Sequence, residues 1–195
     1  MKTSENPFDS QRLAQIPFRF PPGTTWETLL ARLESQKYCA AIVGQLGAGK
    51  TTLIEELAPH LEDRGFEPVF FRLAGDVSMR EKERLPEKLR QVSSPGFILL
   101  DGAEQLSTRH WLPVRSAASK AAGFVITLHR TSRLPTLFEC ETSVNLLDEI
   151  VEELTGGKLP PDESETLLLR HHGNIRGVLE ELRARWDGQE IEDLG

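Results

Sequence analysis

Residues 39 to 54 read CAAIVGQLGAGKTTLI, and the change of character along this stretch decides the architecture. CAAIV, 39 to 43, is an apolar run of strand length. GQLGAGKT, 44 to 51, matches the pattern GxxxxGK[ST] at every position, and Leu53, Ile54, Leu57 and Leu61 then recur at helical spacing. Strand, glycine-rich loop and helix in that order form the context in which the pattern cradles phosphate. Gly44, Gly47 and Gly49 let the loop close tightly and turn its backbone N–H groups around phosphate oxygens. Lys50 supplies a positive charge for the β and γ phosphates, the Thr51 hydroxyl suits Mg²⁺, and the helix beginning there adds its positive dipole end. Gln45, Leu46, Ala48 and Thr52 complete the loop and first turn expected to line the nucleotide. Pro59 should kink or shorten this helix, with Gly65 as its stop.

Outward from the loop, further apolar runs of strand length occur at 68 to 73 (PVFFRL), 96 to 101 (GFILLD), 123 to 128 (GFVITL) and 143 to 147 (SVNLL). Short, fully apolar runs separated by helical segments predict a five-stranded, mostly parallel sheet covered on both faces, an α/β three-layer sandwich. Upstream, Thr24 with Glu27 makes a capping-box pattern for a helix over 24 to 36, after an extended, proline-containing entry at 1 to 23. Pro86 and Pro113 predict short or broken helices in 78 to 92 and 103 to 122. Asp101, at the tip of an apolar strand, is the expected second protein anchor for Mg²⁺ beside Thr51.

Beyond 147 the strand signal stops. Leu147, Ile150, Val151 and Leu154 predict a helix ending at Gly156. Asp162 with Glu165 should cap a second, and Asn174 a third that carries Ile175, Val178, Leu179, Leu182 and Trp186 and stops at Gly188. The expected organisation is a nucleotide-binding core over 1–147 and a small helical lid over 148–195. Charge steps at the same place: 13 acidic against 5 basic residues from Asp148 onward, and 17 against 18 before it.

The formal charge of −7 argues against a chain that clamps nucleic acid over its whole surface and leaves a local basic site open. The basic residues of 80 to 90 alternate with Glu81, Glu83 and Glu87 and read as a solvated helix face. Cys39 and Cys140 lie in no metal-ligand or CxxC spacing and read as reduced, mostly buried thiols. His171 and His172, adjacent on a helix, point in different directions and make a poor metal pair. With no apolar leader and no apolar run of membrane-spanning length, the reading is a soluble cytoplasmic protein without a membrane partner.

These motifs together resemble the AAA+ and related additional-strand P-loop ATPases: a Walker A loop at 44–51, an added strand at 68–73, a Walker B strand at 97–101, a further strand at 123–128 and a helical tail. The resemblance implies ATP and Mg²⁺ as ligands, and function as an ATPase that couples Mg-ATP binding or slow hydrolysis to conformational change. A homo-oligomer or a partner protein would complete such a system. It implies a polar sensor at the end of 123–128, matched by Thr127 or His129, and a second sensor arginine matched by Arg176 in GNIR, 173 to 176. Arg109, Arg115, Arg130 and Arg133 are candidates for a finger reaching a neighbouring subunit, the last two first.

One departure bears on turnover. Gly102 stands where many ATPases carry a Glu after the strand-end Asp. Glu104 is the nearest carboxylate, able either to reach the γ phosphate or to cap the next helix. A non-hydrolysing ATP-dependent switch and a small-substrate phosphotransferase are therefore the alternatives. No signature of ABC transporters, GTPases or small-molecule kinases is present.

Overall fold

A computed structural model describes residues 6–130, 133–160 and 162–192, with side chains to 188. In chain order the elements are α1 (Ser10–Leu13), α2 (Trp26–Ser35), β1 (Cys39–Gly44), α3 (Lys50–Glu62), β2 (Glu67–Arg72), α4 (Met79–Leu89) and β3 (Gly96–Asp101). A 3-10 turn (Ala103–Gln105), α5 (Thr108–Ala117), a second 3-10 turn (Ala118–Lys120), β4 (Gly123–Leu128) and β5 (Thr136–Cys140) follow. The chain ends in α6 (Val144–Thr155), α7 (Glu163–Arg170) and α8 (Ile175–Glu192).

The chain divides into two compact units. One holds residues 20–44 and 49–140; the other holds the N-terminal residues through 19, the loop 45–48, and 141 onward.

The first unit is an α/β sandwich. All five strands are parallel, in the order β2-β3-β4-β1-β5. Side chains alternate across a strand, so Ala41, Val43, Ile98, Leu100, Phe124 and Ile126 share one face and pack with Leu85, Leu89, Trp111 and Val114 of α4 and α5. On α3, Leu53, Ile54, Leu57 and Leu61 are fully buried, and the helix packs on β1 and β4. Parallel strands place all their carboxyl ends on one edge of the sheet, where Gly44, Asp101 and Leu128 lie.

The second unit is helical. Leu147, Ile150 and Val151 of α6, Leu167 and Leu168 of α7, and Ile175, Val178, Leu179 and Leu182 of α8 form one core, into which Phe8 of the N-terminal segment is also buried. Arg183 donates to Ser10 Oγ at 2.7 Å, and Asn6 Nδ2 donates to the Arg183 carbonyl at 3.1 Å.

Several expectations are corrected. The fifth strand is 136–140, not 143–147: the Ser143 side chain accepts from the Leu146 N–H and starts α6. The capping box of α2 pairs Thr25 with Thr28, one residue beyond the expected Thr24 and Glu27. Pro59 and Pro86 both lie inside helices that continue past them, each near the C-terminal end. Asp162 precedes α7 in a left-handed conformation and makes no side-chain cap, whereas Asn174 Oδ1 does accept from the Gly177 N–H at 3.0 Å. Gly188 lies within α8, which continues to Glu192. The expected extended entry contains the one-turn helix α1, capped by Asp9.

Candidate functional site

The candidate site in the α/β unit is built on Asp101. Its Oδ2 accepts from the Thr51 hydroxyl at 3.0 Å and its Oδ1 accepts from the Thr127 hydroxyl at 2.7 Å. Thr127 is fully buried, and its Oγ1 in turn accepts from the Gly102 N–H at 2.8 Å. The carboxylate is thus oriented from both sides by residues of α3 and β4. Arg72, paired with Asp101 in the β2–β3 register, brings its Nε to 3.4 Å from Oδ2 and also contacts Glu55. The sequence reading did not single out Arg72, because nothing local shows that the end of 68–73 lies beside the end of 96–101.

Lys50, at the start of α3, is buried and donates to the Gly44 carbonyl at 2.8 Å. Burial lowers the pKa of its ammonium; Glu104, Cys140 and Asp101 oppose that shift. A lysine in these surroundings is a charge poorly served by water, and a phosphate would complement it.

Glu104 sits in the 3-10 turn after β3. Its Oε1 lies 3.3 Å from His129 Nε2, while its Oε2 is buried and has no hydrogen-bond partner among the described residues. The turn is tied down by Arg133, whose guanidinium donates to the Ala103 carbonyl at 3.1 Å and to that of Leu106, and stands 5.0 Å over the Trp111 ring. Arg133, one of the candidate fingers, is held by these contacts within its own chain. Thr127 and His129, alternatives for one sensor, hold different groups: Thr127 holds Asp101 and His129 faces Glu104.

In the helical unit, residues 45–48 lie against the turn that starts α8. A Cβ on Gly47, whose φ is +73°, would stand 1.8 Å from Asn174 Oδ1 and 3.3 Å from the Arg176 backbone nitrogen. A side chain there would be strained by the positive φ and would have to displace Asn174. The side chain of Arg176 is exposed and lies 4.0 Å from Glu180.

The oxygen donors of Thr51 and Asp101 suit a hard cation that keeps waters and phosphate oxygens for its other ligands. No group of three or more His, Cys, Asp or Glu side chains converges among the described residues, and Thr51 and Asp101 are the oxygen donors brought together at this strand end. With Lys50 close by and Glu104 Oε2 unpaired, the set fits Mg²⁺ with a polyphosphate.

This fold is that of the AAA+-like, additional-strand P-loop ATPases. The particular likenesses are a replication initiator DnaA bound to AMPPCP and single-stranded DNA (TM-score 0.58, 18% identity, 90% of this chain and 66% of that one) and a single-substitution variant of Thermotoga maritima RuvB (TM-score 0.59, 18% identity, 86% and 62%). AMPPCP-bound DnaA from Aquifex aeolicus is a third (TM-score 0.55, 18% identity, 90% and 67%). The chain spans about two thirds of the length of these proteins or slightly less. No protein-family model and no characterised protein sequence matches it. Among the described residues no helix is long and apolar enough to cross a membrane.

Proposed function

We propose that this chain binds ATP with Mg²⁺ at the 44–51 loop and uses binding, or slow hydrolysis, to change conformation. The observation that carries the reading is Asp101 held between Thr51 and Thr127 at the strand end next to a buried Lys50. Lys50 neutralises phosphate charge, the backbone N–H groups of 45–50 surround the phosphate oxygens, and Thr51 with Asp101 holds the metal. Thr51 and Asp101 would hold Mg²⁺, which would supply positive charge against that of the phosphate groups. Arg176 is the candidate nucleotide sensor on the helical unit. DnaA structures with AMPPCP support the choice of an adenine nucleotide. Titration calorimetry with Mg-ATP tests it: Lys50→Ala should weaken binding at least tenfold, since a charge-assisted bond contributes about 1.5–3 kcal/mol. No binding by the wild type, or unchanged binding by the variant, overturns it.

Gly102 favours a second reading, a nucleotide-held switch with little or no turnover. In it the position after Asp101 offers no carboxylate to orient a water, and Glu104 is the nearest one along the chain. Phosphate release measured across protein concentration for wild type and Glu104→Gln separates the two. Turnover that the substitution lowers supports the hydrolytic reading, and its absence at every concentration supports the switch.

A further inference from the structure

A cavity of about 410 Å³ opens in the α/β unit at the edge of the sheet where the strands begin. Cys39 opens β1, Gly123 and Phe124 open β4, and Pro135 precedes β5. β1 runs from Cys39 to Gly44, so at about 3.3 Å per residue the cavity lies roughly 16 Å from the phosphate loop. It is a separate place in the fold.

Three features point to a ligand. The hollow is open to solvent on one side and has room for a small organic molecule. Lys37 and Arg115 both line the cavity and no Asp or Glu does among the described residues, in a chain where acids outnumber bases 30 to 23. Arg115 is close enough to act on the Cys39 thiol, lowering a pKa that burial raises more. Finally, Lys37 and Tyr38 are consecutive non-glycine residues at φ +54°, a conformation that L side chains rarely adopt. The strained pair is pinned from both sides: their N–H groups donate to the Glu34 and Leu33 carbonyls, and the Tyr38 carbonyl accepts from Phe124 at 2.7 Å.

We propose that this cavity binds a small organic anion, a carboxylate or phosphate carried on an apolar body about the size of one ring. Arg115 and Lys37 hold the anionic group, and the body lies against Cys39, Ala121 and Pro135 of the lining. This site does not depend on nucleotide chemistry at the phosphate loop.

Cys39 reports occupancy directly, because it is half-buried in the cavity wall while Cys140 is 4% exposed and serves as an internal reference for unfolding. The full chain is alkylated with iodoacetamide and each cysteine is followed by peptide mass spectrometry, with benzoate, phenyl phosphate or neutral benzamide present at matched ionic strength. The expected result is that at least one anion slows alkylation of Cys39, roughly tenfold at ten times its half-saturating concentration, and that benzamide does not. Protection by benzoate alone assigns a carboxylate; by phenyl phosphate alone, a phosphate. Arg115 and Lys37 are exposed, so Arg115→Gln and Lys37→Gln should fold, which continued protection of Cys140 verifies; each should reduce the effect and the double variant abolish it. Equal alkylation with and without the anions, equal protection by benzamide, or protection that survives the double variant overturns the proposal.

Discussion

A Cβ placed on Gly102 would stand 2.2 Å from the carbonyl oxygen of Leu73. Gly102 also has φ +86°, and its N–H donates to Thr127, so its backbone is held where only glycine fits. The position that carries a carboxylate in many ATPases is here closed by the chain itself. Gly102→Glu should therefore lower stability by at least about 2 kcal/mol, from left-handed strain and displaced backbone together, and should not raise phosphate release. A melting curve beside a turnover assay checks both. A stable variant with faster turnover would show that the Leu73 strand end yields easily.

Thr127 serves two groups at once, Asp101 Oδ1 and the Gly102 N–H. Thr127→Val keeps the shape and removes both bonds in a fully buried place. The expected cost is about 1–3 kcal/mol of stability, because a buried N–H loses its acceptor, with weaker Mg²⁺ dependence of nucleotide binding. Denaturant unfolding and calorimetry at two Mg²⁺ concentrations measure these; an unchanged midpoint would remove Thr127 from the support of Asp101.

Phe8 is 4% exposed in the core of the helical unit. Truncating a buried Phe costs about 3–5 kcal/mol, so Phe8→Ala should raise hydrogen exchange throughout α6, α7 and α8. Exchange confined to the N-terminal residues would mean that this segment is only draped on the helices.

Glu181 accepts from His171 Nε2 at 2.5 Å and pairs with Arg185 at 2.5 Å and Arg170 at 2.6 Å. The His171 and Arg185 hydrogen bonds chiefly, with the arginine charges adding, hold its carboxyl at about 2, below the ordinary 4.5. A carboxyl whose pKa is lower when folded lends stability above pH 4.5 that fades as the pH falls toward 2. The stability of the helical unit should decline across that window, and Glu181→Gln should flatten the decline. Parallel pH curves for wild type and variant would contradict the assignment.

The phosphate loop and the elements flanking it could be read directly from residues 39 to 61, because strand, glycine turn and helix there are neighbours along the chain and each leaves a local pattern. Asp101 at a strand end and Asn174 as a cap were legible for the same reason. The misplaced fifth strand shows where that reasoning stops. TLFEC at 136–140 joins β1 through partners about a hundred residues earlier, whereas SVNLL at 143–147 carries the apolar content of a strand but begins with a serine that caps a helix. Capping acts over three residues and competes successfully with a pattern that hydrophobicity alone cannot distinguish.

Other relationships are not local and leave no pattern. Arg72 reaches Asp101 because β2 is the edge strand beside β3, and Thr127 reaches it because β4 lies on the other side. Strand order comes from how crossovers close around a shared core, not from the composition of any one run. Phe8 belongs to the helical core although some 140 residues separate it from α6. Elements therefore followed from hydrogen bonds and periodicities a few residues long, while the neighbours that orient Asp101, close Gly102 and bury Phe8 came from packing between segments far apart in the chain.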